Sequence, residues 1–156
     1  MTTTSSHPSA ALIAPAYVLQ TIEECWDCLR ETPVFALAAE GIERRTPSSS
    51  KVDDFVLMTS IEWLSLDLQE LLKKHSQSAF SLDESARNEG CRHYINHCSH
   101  CGAPFDNDEL FESGEAFSPM DEDECEYTVT GVPDGVNLSI SGKTAMPERQ
   151  LFLPPL

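Results

Sequence analysis

A repeated short spacing constrains this chain more than any other feature. Residues 25 to 28 read CWDC and residues 98 to 101 read CSHC, giving two Cys-x-x-Cys pairs with 69 residues between Cys28 and Cys98. Two intervening residues let the backbone turn tightly enough to aim both sulfurs at one point. Two such turns supply the four thiolates of a closed tetrahedral zinc site. Compact zinc modules put about 15–20 residues between the pairs, so a site built here is split. The entropy of closing a loop grows only with the logarithm of its length, and the long gap does not forbid the pairing. The expected ligands are Cys25, Cys28, Cys98 and Cys101. Structural Zn2+ is the first choice and iron the second, because tetrahedral thiolates suit both.

Competing readings of the same residues are bland thiols in a core, or a redox pair. A thioredoxin-like pair needs its Cys-x-x-Cys at a helix N-terminus within a βαβ pattern, and neither pair here is set so. His97 and His100 lie in or beside the second pair. With four cysteines at hand they are expected near the sulfurs or facing solvent rather than on the metal. Cys91 with His93, and Cys125, read as single thiols before they read as another site. Trp26, inside the first pair, either shields the sulfurs from water or forms an exposed contact, and shielding is the first expectation. Gly102, directly after the second pair, should relieve the turn.

Along the chain, residues 1–14 read as a Ser/Thr-rich disordered tail, 15–145 as one metal-stapled domain and 146–156 as a Pro-rich C-terminal tail. Tyr17–Glu24 reads as a strand running into the first pair. The apolar run Pro33–Ala39 reads as its return, with Gly41 as a stop. Residues 44–51 read as a loop and Asp54–Thr59 as a third strand. Ser60–His75 carries Ile61, Leu64, Leu68, Leu71 and Leu72 at helical spacing, with acids early and lysines late, and predicts the main helix. Residues 76–90 are polar and end at Gly90. Cys91–His97 is expected to be a short strand delivering the second pair. Tyr127–Ile140 is expected to be a β-hairpin turning at Pro133, Asp134 and Gly135.

Charge narrows the partners. The 156 residues carry a formal net charge of −16, and between His93 and Gly142 there are eleven acids and no Lys or Arg. Phosphate backbones and anionic membranes repel such a chain, so nucleic acid and membrane are poor partners and a basic protein is a good one. The N-terminus lacks the basic residues of a secretory signal, and six cysteines in a reducing compartment stay thiols or metal ligands; the expected location is cytoplasmic. No nucleophile motif, His-Glu-x-x-His or phosphate loop is present, and the acidic stretch lacks the spaced ligands of an EF-hand. A closed four-thiolate site argues for structure rather than catalysis. The reading is a non-catalytic zinc-binding interaction or regulatory module with an acidic face. Its rivals are an enzyme carrying structural zinc, an acidic nucleic-acid mimic, and a zinc-ribbon reader using Arg44, Arg45 and Lys51.

The stretches ECWDC, TPVFAL and YINHCSHCGA together resemble a group of bacterial zinc-ribbon proteins. In that group a Cys-Trp-x-Cys knuckle meets a Tyr-Ile-Asn-x-Cys-x-x-Cys-Gly-Ala knuckle. The paired knuckles are also broadly similar to the rubredoxin arrangement. The resemblance implies metal ligation by Cys25, Cys28, Cys98 and Cys101, with Trp26, Tyr94, Asn96 and Gly102 as framework. It covers the two knuckles only, and the sequence departs from the group after Ala103. The fold expected overall is α+β: antiparallel β-hairpins around a zinc-ribbon-like four-cysteine site, with one main helix.

Overall fold

The computed structural model describes residues 10–44, 50–82, 93–121 and 126–153. Their order is β1 (Ala10–Glu24), β2 (Glu31–Arg44), β3 (Ser50–Val52), β4 (Val56–Leu64), α1 (Leu66–Ser76), β5 (Phe80–Leu82), β6 (Tyr94–Asn96), α2 (Asn107–Leu110), β7 (Thr128–Gly131) and β8 (Ser139–Ala145). A 3-10 turn at Arg149–Leu151 follows. Every strand pairing among the described residues is antiparallel.

The main sheet closes on itself. β1 pairs with β2, β2 with β4, β4 with β8, and β8 returns to β1. The result is a small β-barrel, with β3 added on β2 and β7 added on β1. β5 and β6 form a separate two-stranded ladder. The architecture is therefore mostly antiparallel β with one main helix, and the barrel rather than a zinc ribbon organises it.

The run VFALAA explains why the barrel has a core on each side. Alternate residues of a strand face opposite ways. Phe35, Leu37 and Ala39 join one buried cluster with Leu12, Val18, Met58, Leu64, Ile140 and the helix residues Leu68 and Leu72. Val34, Ala36 and Ala38 join the other, with Leu57, Cys25, Cys98, Phe105, Phe117 and Phe152. All four barrel strands feed the first cluster, which fills the barrel and seats α1. The second lies on the outer face and is roofed by the cysteine knuckles, α2 and the C-terminal segment. A strand covered on both faces needs an unbroken apolar run, and this is one.

Several expectations are corrected. β1 begins at Ala10, so 10–14 belong to a strand and not to the N-terminal tail; Ala10 and Leu12 are buried in the barrel. Pro15 has no N–H to give the ladder, and the register shifts there. Gly41 does not stop β2. It lies within the strand, where a Cβ would meet the Val52 carbonyl oxygen at 2.4 Å, so glycine is what lets β3 approach. The helix starts at Leu66 rather than Ser60, because Ile61 and Leu64 serve the barrel as strand residues of β4. Ser65 ends that strand and caps the helix: its hydroxyl accepts from Leu68 N–H at 3.2 Å and donates to the Asn137 carbonyl at 2.5 Å. The polar stretch 76–90 contains β5, and of the strand expected over 91–97 the described part is β6, Tyr94–Asn96, with 91 and 92 outside the described residues. β7 and β8 are not a hairpin. They do not pair with each other, and both pair with β1, β7 at Tyr17–Gln20 and β8 at Ala10–Ala11.

The C-terminal segment is also part of the fold. Phe152 and Leu153 are buried, and Phe152 stacks on Phe55 at 6.0 Å and packs against Tyr127 at 4.9 Å. Arg149 holds Glu40 through Nε at 2.9 and 3.2 Å, and Tyr17 donates to the same carboxylate at 2.5 Å. The prolines of 146–156 obscured a short apolar clasp. Residues 1–9, 45–49, 83–92, 122–125 and 154–156, which include Arg45, Cys91 and Cys125, lie outside the described residues. Phe152→Ala is expected to cost about 3 kcal/mol in urea unfolding, whereas Met146→Ala, at an exposed position, should change stability by less than about 0.5 kcal/mol. Equal effects would mean that the segment does not clasp the core.

Candidate metal centre

The first knuckle is the turn of the β1–β2 hairpin. Glu24 pairs with Glu31 at its base, and Cys25 N–H donates to the Arg30 carbonyl at 2.8 Å. The second follows β6, where His97 and Pro104 form a bridge and Cys98 N–H donates to Ala103 O at 2.9 Å. The two loops are built alike. Leu29 N–H returns to Cys25 O and Gly102 N–H to Cys98 O, both at 2.9 Å. The residue after each second cysteine is left-handed, with φ 66° at Leu29 and 80° at Gly102. Gly102 takes that conformation without cost, whereas Leu29 pays roughly 1–2 kcal/mol of backbone strain.

Placed this way, the four sulfurs of Cys25, Cys28, Cys98 and Cys101 all lie within 4.8 Å of one another. Cys25 Sγ is 3.6 Å from Cys101 Sγ, and Cys28 Sγ is 3.7 Å from Cys98 Sγ. A disulfide needs about 2.05 Å, and all four cysteines are free. A tetrahedron with metal–sulfur bonds of about 2.3 Å has edges of about 3.8 Å, close to both of these separations. The donor set therefore fits one thiophilic tetrahedral ion. Cys25 and Cys98 are buried, Cys28 is half-buried and Cys101 is exposed, so the cluster opens towards solvent on one side.

Backbone amides complete the environment. Asp27 N–H faces Cys25 Sγ at 3.4 Å and His100 N–H faces Cys98 Sγ at 3.3 Å. Arg30 and Ala103 amides serve Cys28 and Cys101 in the same i+2 relation. Burial pushes the Cys98 thiol up, but the Cys101 and His100 amides and the Cys28 and Cys25 thiols outweigh it and lower it to about 6. At Cys101 the Ala103 amide acts to lower the pKa; burial and the other three cysteines prevail and raise it to about 12. Cys28 is likewise raised: the Arg30 amide lowers it, and burial and the Cys98 thiol more than offset that. One thiolate forms readily and the last only against its neighbours' charge, which is the situation a dication resolves.

What holds the knuckles together is mostly amide and hydroxyl chemistry between β2 and the second loop. Asn96, 1% exposed, turns its side-chain amide onto the backbone of Phe35. Its Oδ1 accepts from Phe35 N–H at 2.8 Å and its Nδ2 donates to Phe35 O at 3.0 Å. The side chain thus stands in for one residue of a paired strand. Thr32, buried just past the first knuckle, accepts the Ser99 amide at 2.9 Å through Oγ1. His100 Nε2 donates to Glu31 O at 3.0 Å, and His97 Nδ1 to Ala79 O at 3.1 Å. Both histidines tie strands together and neither joins the sulfur cluster. Trp26 does not cover the sulfurs. It is 63% exposed, and its indole N–H donates to Pro104 O at 2.8 Å, so it bridges the knuckles from outside. Tyr94 packs on Phe80 at 6.4 Å.

Thr32 was not singled out from the sequence; its place in TPVFAL, two residues from a strand core, gave only a weak hint of the contact. Asn96→Ala is expected to cost about 2–4 kcal/mol, because the buried amide and carbonyl of Phe35 lose their partners. Gly102→Ala should cost only about 1 kcal/mol, since no atom lies within 4 Å of the added methyl. Thermal unfolding of the two variants under identical conditions checks the order; a reversed order would remove Asn96 from its central role. Compared with protein-family models, with curated proteins and with solved structures, the chain matches none of them.

Proposed function

We propose that this protein is a non-catalytic module in which one structural zinc, held by Cys25, Cys28, Cys98 and Cys101, fixes an acidic surface for a basic partner protein. The clustering of four thiols within 4.8 Å carries the metal half of the reading. Four thiolates fill a tetrahedron and leave no position for water or substrate. Zinc is preferred to iron because nothing else in the sequence suggests electron transfer. A reducing, cytoplasmic setting suits four free cysteines. Among the described residues no helix is long and apolar enough to cross a membrane.

The partner half rests on charge. Of the eleven acids between His93 and Gly142, Asp106, Asp108, Glu109, Glu112, Glu115, Asp121, Glu126 and Asp134 fall among the described residues, and that stretch of sequence holds no Lys or Arg to offset them. Such a field accelerates association with a basic protein and weakens over the Debye length of about 10 Å at 0.1 M salt.

Elemental analysis should give about one zinc per chain, with zinc–sulfur distances of about 2.3 Å by X-ray absorption. An iron protein would instead be coloured. Cys98→Ser should abolish stoichiometric zinc and lower the melting temperature by roughly 10 °C. A metal-free protein as stable as the loaded one would sink the staple. For the partner, reversing Asp121, Glu122, Asp123 and Glu124 to Lys should slow association and flatten its salt dependence. An unchanged rate would move recognition elsewhere on the chain.

A further inference from the structure

The outer side of the knuckles carries a tryptophan whose polar end is already used. Because Trp26 N–H is bound to Pro104 O, the indole is held across the two loops and offers its ring to solvent. Beside it runs an open groove of about 430 Å³ lined by Trp26, Pro104, Phe105, Asp106 and Glu109. Trp26, Pro104 and Phe105 make the apolar part of its lining, and Asp106 and Glu109 bring two carboxylates to it. Asp106 spends a single oxygen, Oδ1, on the Asp108 and Glu109 amides as the cap of α2. Glu109 is exposed and makes no ion pair among the described residues. Among the described residues no Lys or Arg lines the groove.

A fixed aromatic face next to unneutralised carboxylates selects one ligand chemistry. A neutral apolar group would strand the two charges, and a phosphate would be repelled by them. A cationic side chain satisfies both parts of the lining, with its charge over the ring and its N–H donors on the oxygens. Arginine fits better than lysine, because its flat guanidinium stacks and its fork reaches two acceptors. The ring needs no ordering on binding, since Pro104 already holds it, and rigid aromatic anchors of this kind concentrate binding energy.

We propose that the Trp26–Asp106–Glu109 groove is the docking site for an arginine side chain on an exposed basic segment of a partner protein. This rests on the interaction reading above and gives that reading an address. It also assigns Trp26 the recognition surface, with the metal behind it holding the two loops that carry the groove walls.

The test uses the full-length, zinc-loaded protein in a Trp63→Phe background, where fluorescence reports Trp26 alone. The probes are blocked pentapeptides of sequence Gly-Arg-Gly-Arg-Gly, Gly-Lys-Gly-Lys-Gly and Gly-Glu-Gly-Glu-Gly. The arginine peptide should bind saturably, the lysine peptide more weakly and the glutamate peptide not at all. Asp106→Asn with Glu109→Gln should weaken the arginine peptide about tenfold at 0.1 M salt, while asparagine still caps α2. Trp26→Ala, followed by calorimetry, should weaken it about as much. Asp134→Asn, in a different depression beside Pro15, should change affinity less than about twofold. An equal loss from Asp134→Asn would mean that net charge alone attracts the peptide, and would overturn the proposal. Arginine-peptide binding that survives the groove variants would overturn it too, while leaving a basic partner possible elsewhere on the surface. Failure of every basic probe to saturate would defeat both readings.

Discussion

Two rows of side chains leave β2 in opposite directions, and neither row reaches water. Phe35, Leu37 and Ala39 go into the barrel, and Val34, Ala36 and Ala38 go under the cysteine lobe. Each row stays dry only if something covers it, so the barrel must close on one side and the knuckles must fold down on the other. The Asn96 amide makes that second closure specific. By engaging both the N–H and the carbonyl of Phe35, it sets where β6 lies along β2, and the Cys98–Cys101 loop follows from there. Thr32 then meets Ser99, and the sulfurs of the two loops arrive together. The cysteine cluster is thus placed by a strand already committed to two cores, and the four sulfurs meet in a geometry that packing has begun.

The sulfur environment balances attraction against crowding. Four thiolates would bring four negative charges into a chain whose formal net charge is −16, and the lowered Cys98 beside the raised Cys101 expresses how unequal the successive ionisations are. Each sulfur has an amide two residues downstream, so the loop backbone supplies positive ends of dipoles where side-chain cations are scarce. Leu29 shows that the loop geometry outranks local preference: a left-handed leucine is tolerated because the same turn brings the Arg30 amide to Cys28.

Much of the cysteine lobe was legible because its chemistry is local. A two-residue spacing dictates a tight turn, and the recurrence of that spacing points to one shared centre. The barrel was harder to read. Its defining pairing, β8 onto both β4 and β1, joins segments about seventy and more residues apart, and nothing in the short-range pattern of Tyr127–Ile140 tells a hairpin from two strands laid end to end on β1. Ile61 and Leu64 misled for a related reason: with Leu68, Leu71 and Leu72 they continue a helical spacing, although they belong to a strand. The boundary lies in Ser65, whose hydroxyl caps the helix. Phe152 and Leu153 were hidden by neighbouring prolines, and residue type favours a shielding role for Trp26 over an exposed one, whereas its hydrogen bond to Pro104 fixes it outside.

The split of the cluster between two remote hairpins has a consequence in time. During synthesis the Cys25–Cys28 loop leaves the ribosome about seventy residues ahead of Cys98, a wait of roughly 4–14 s at ordinary elongation rates. Through that interval the nascent chain carries half a chelate. Two thiols at Cys-x-x-Cys spacing bind metal weakly and oxidise to each other readily, and the β2 strand that would bury Cys25 has no second lobe to hold against it. Completion of the cluster is therefore a late event, linked to delivery of the Asn96 segment, and for those seconds Cys25 and Cys28 are more open to oxidation than in the finished fold, where Cys25 is buried.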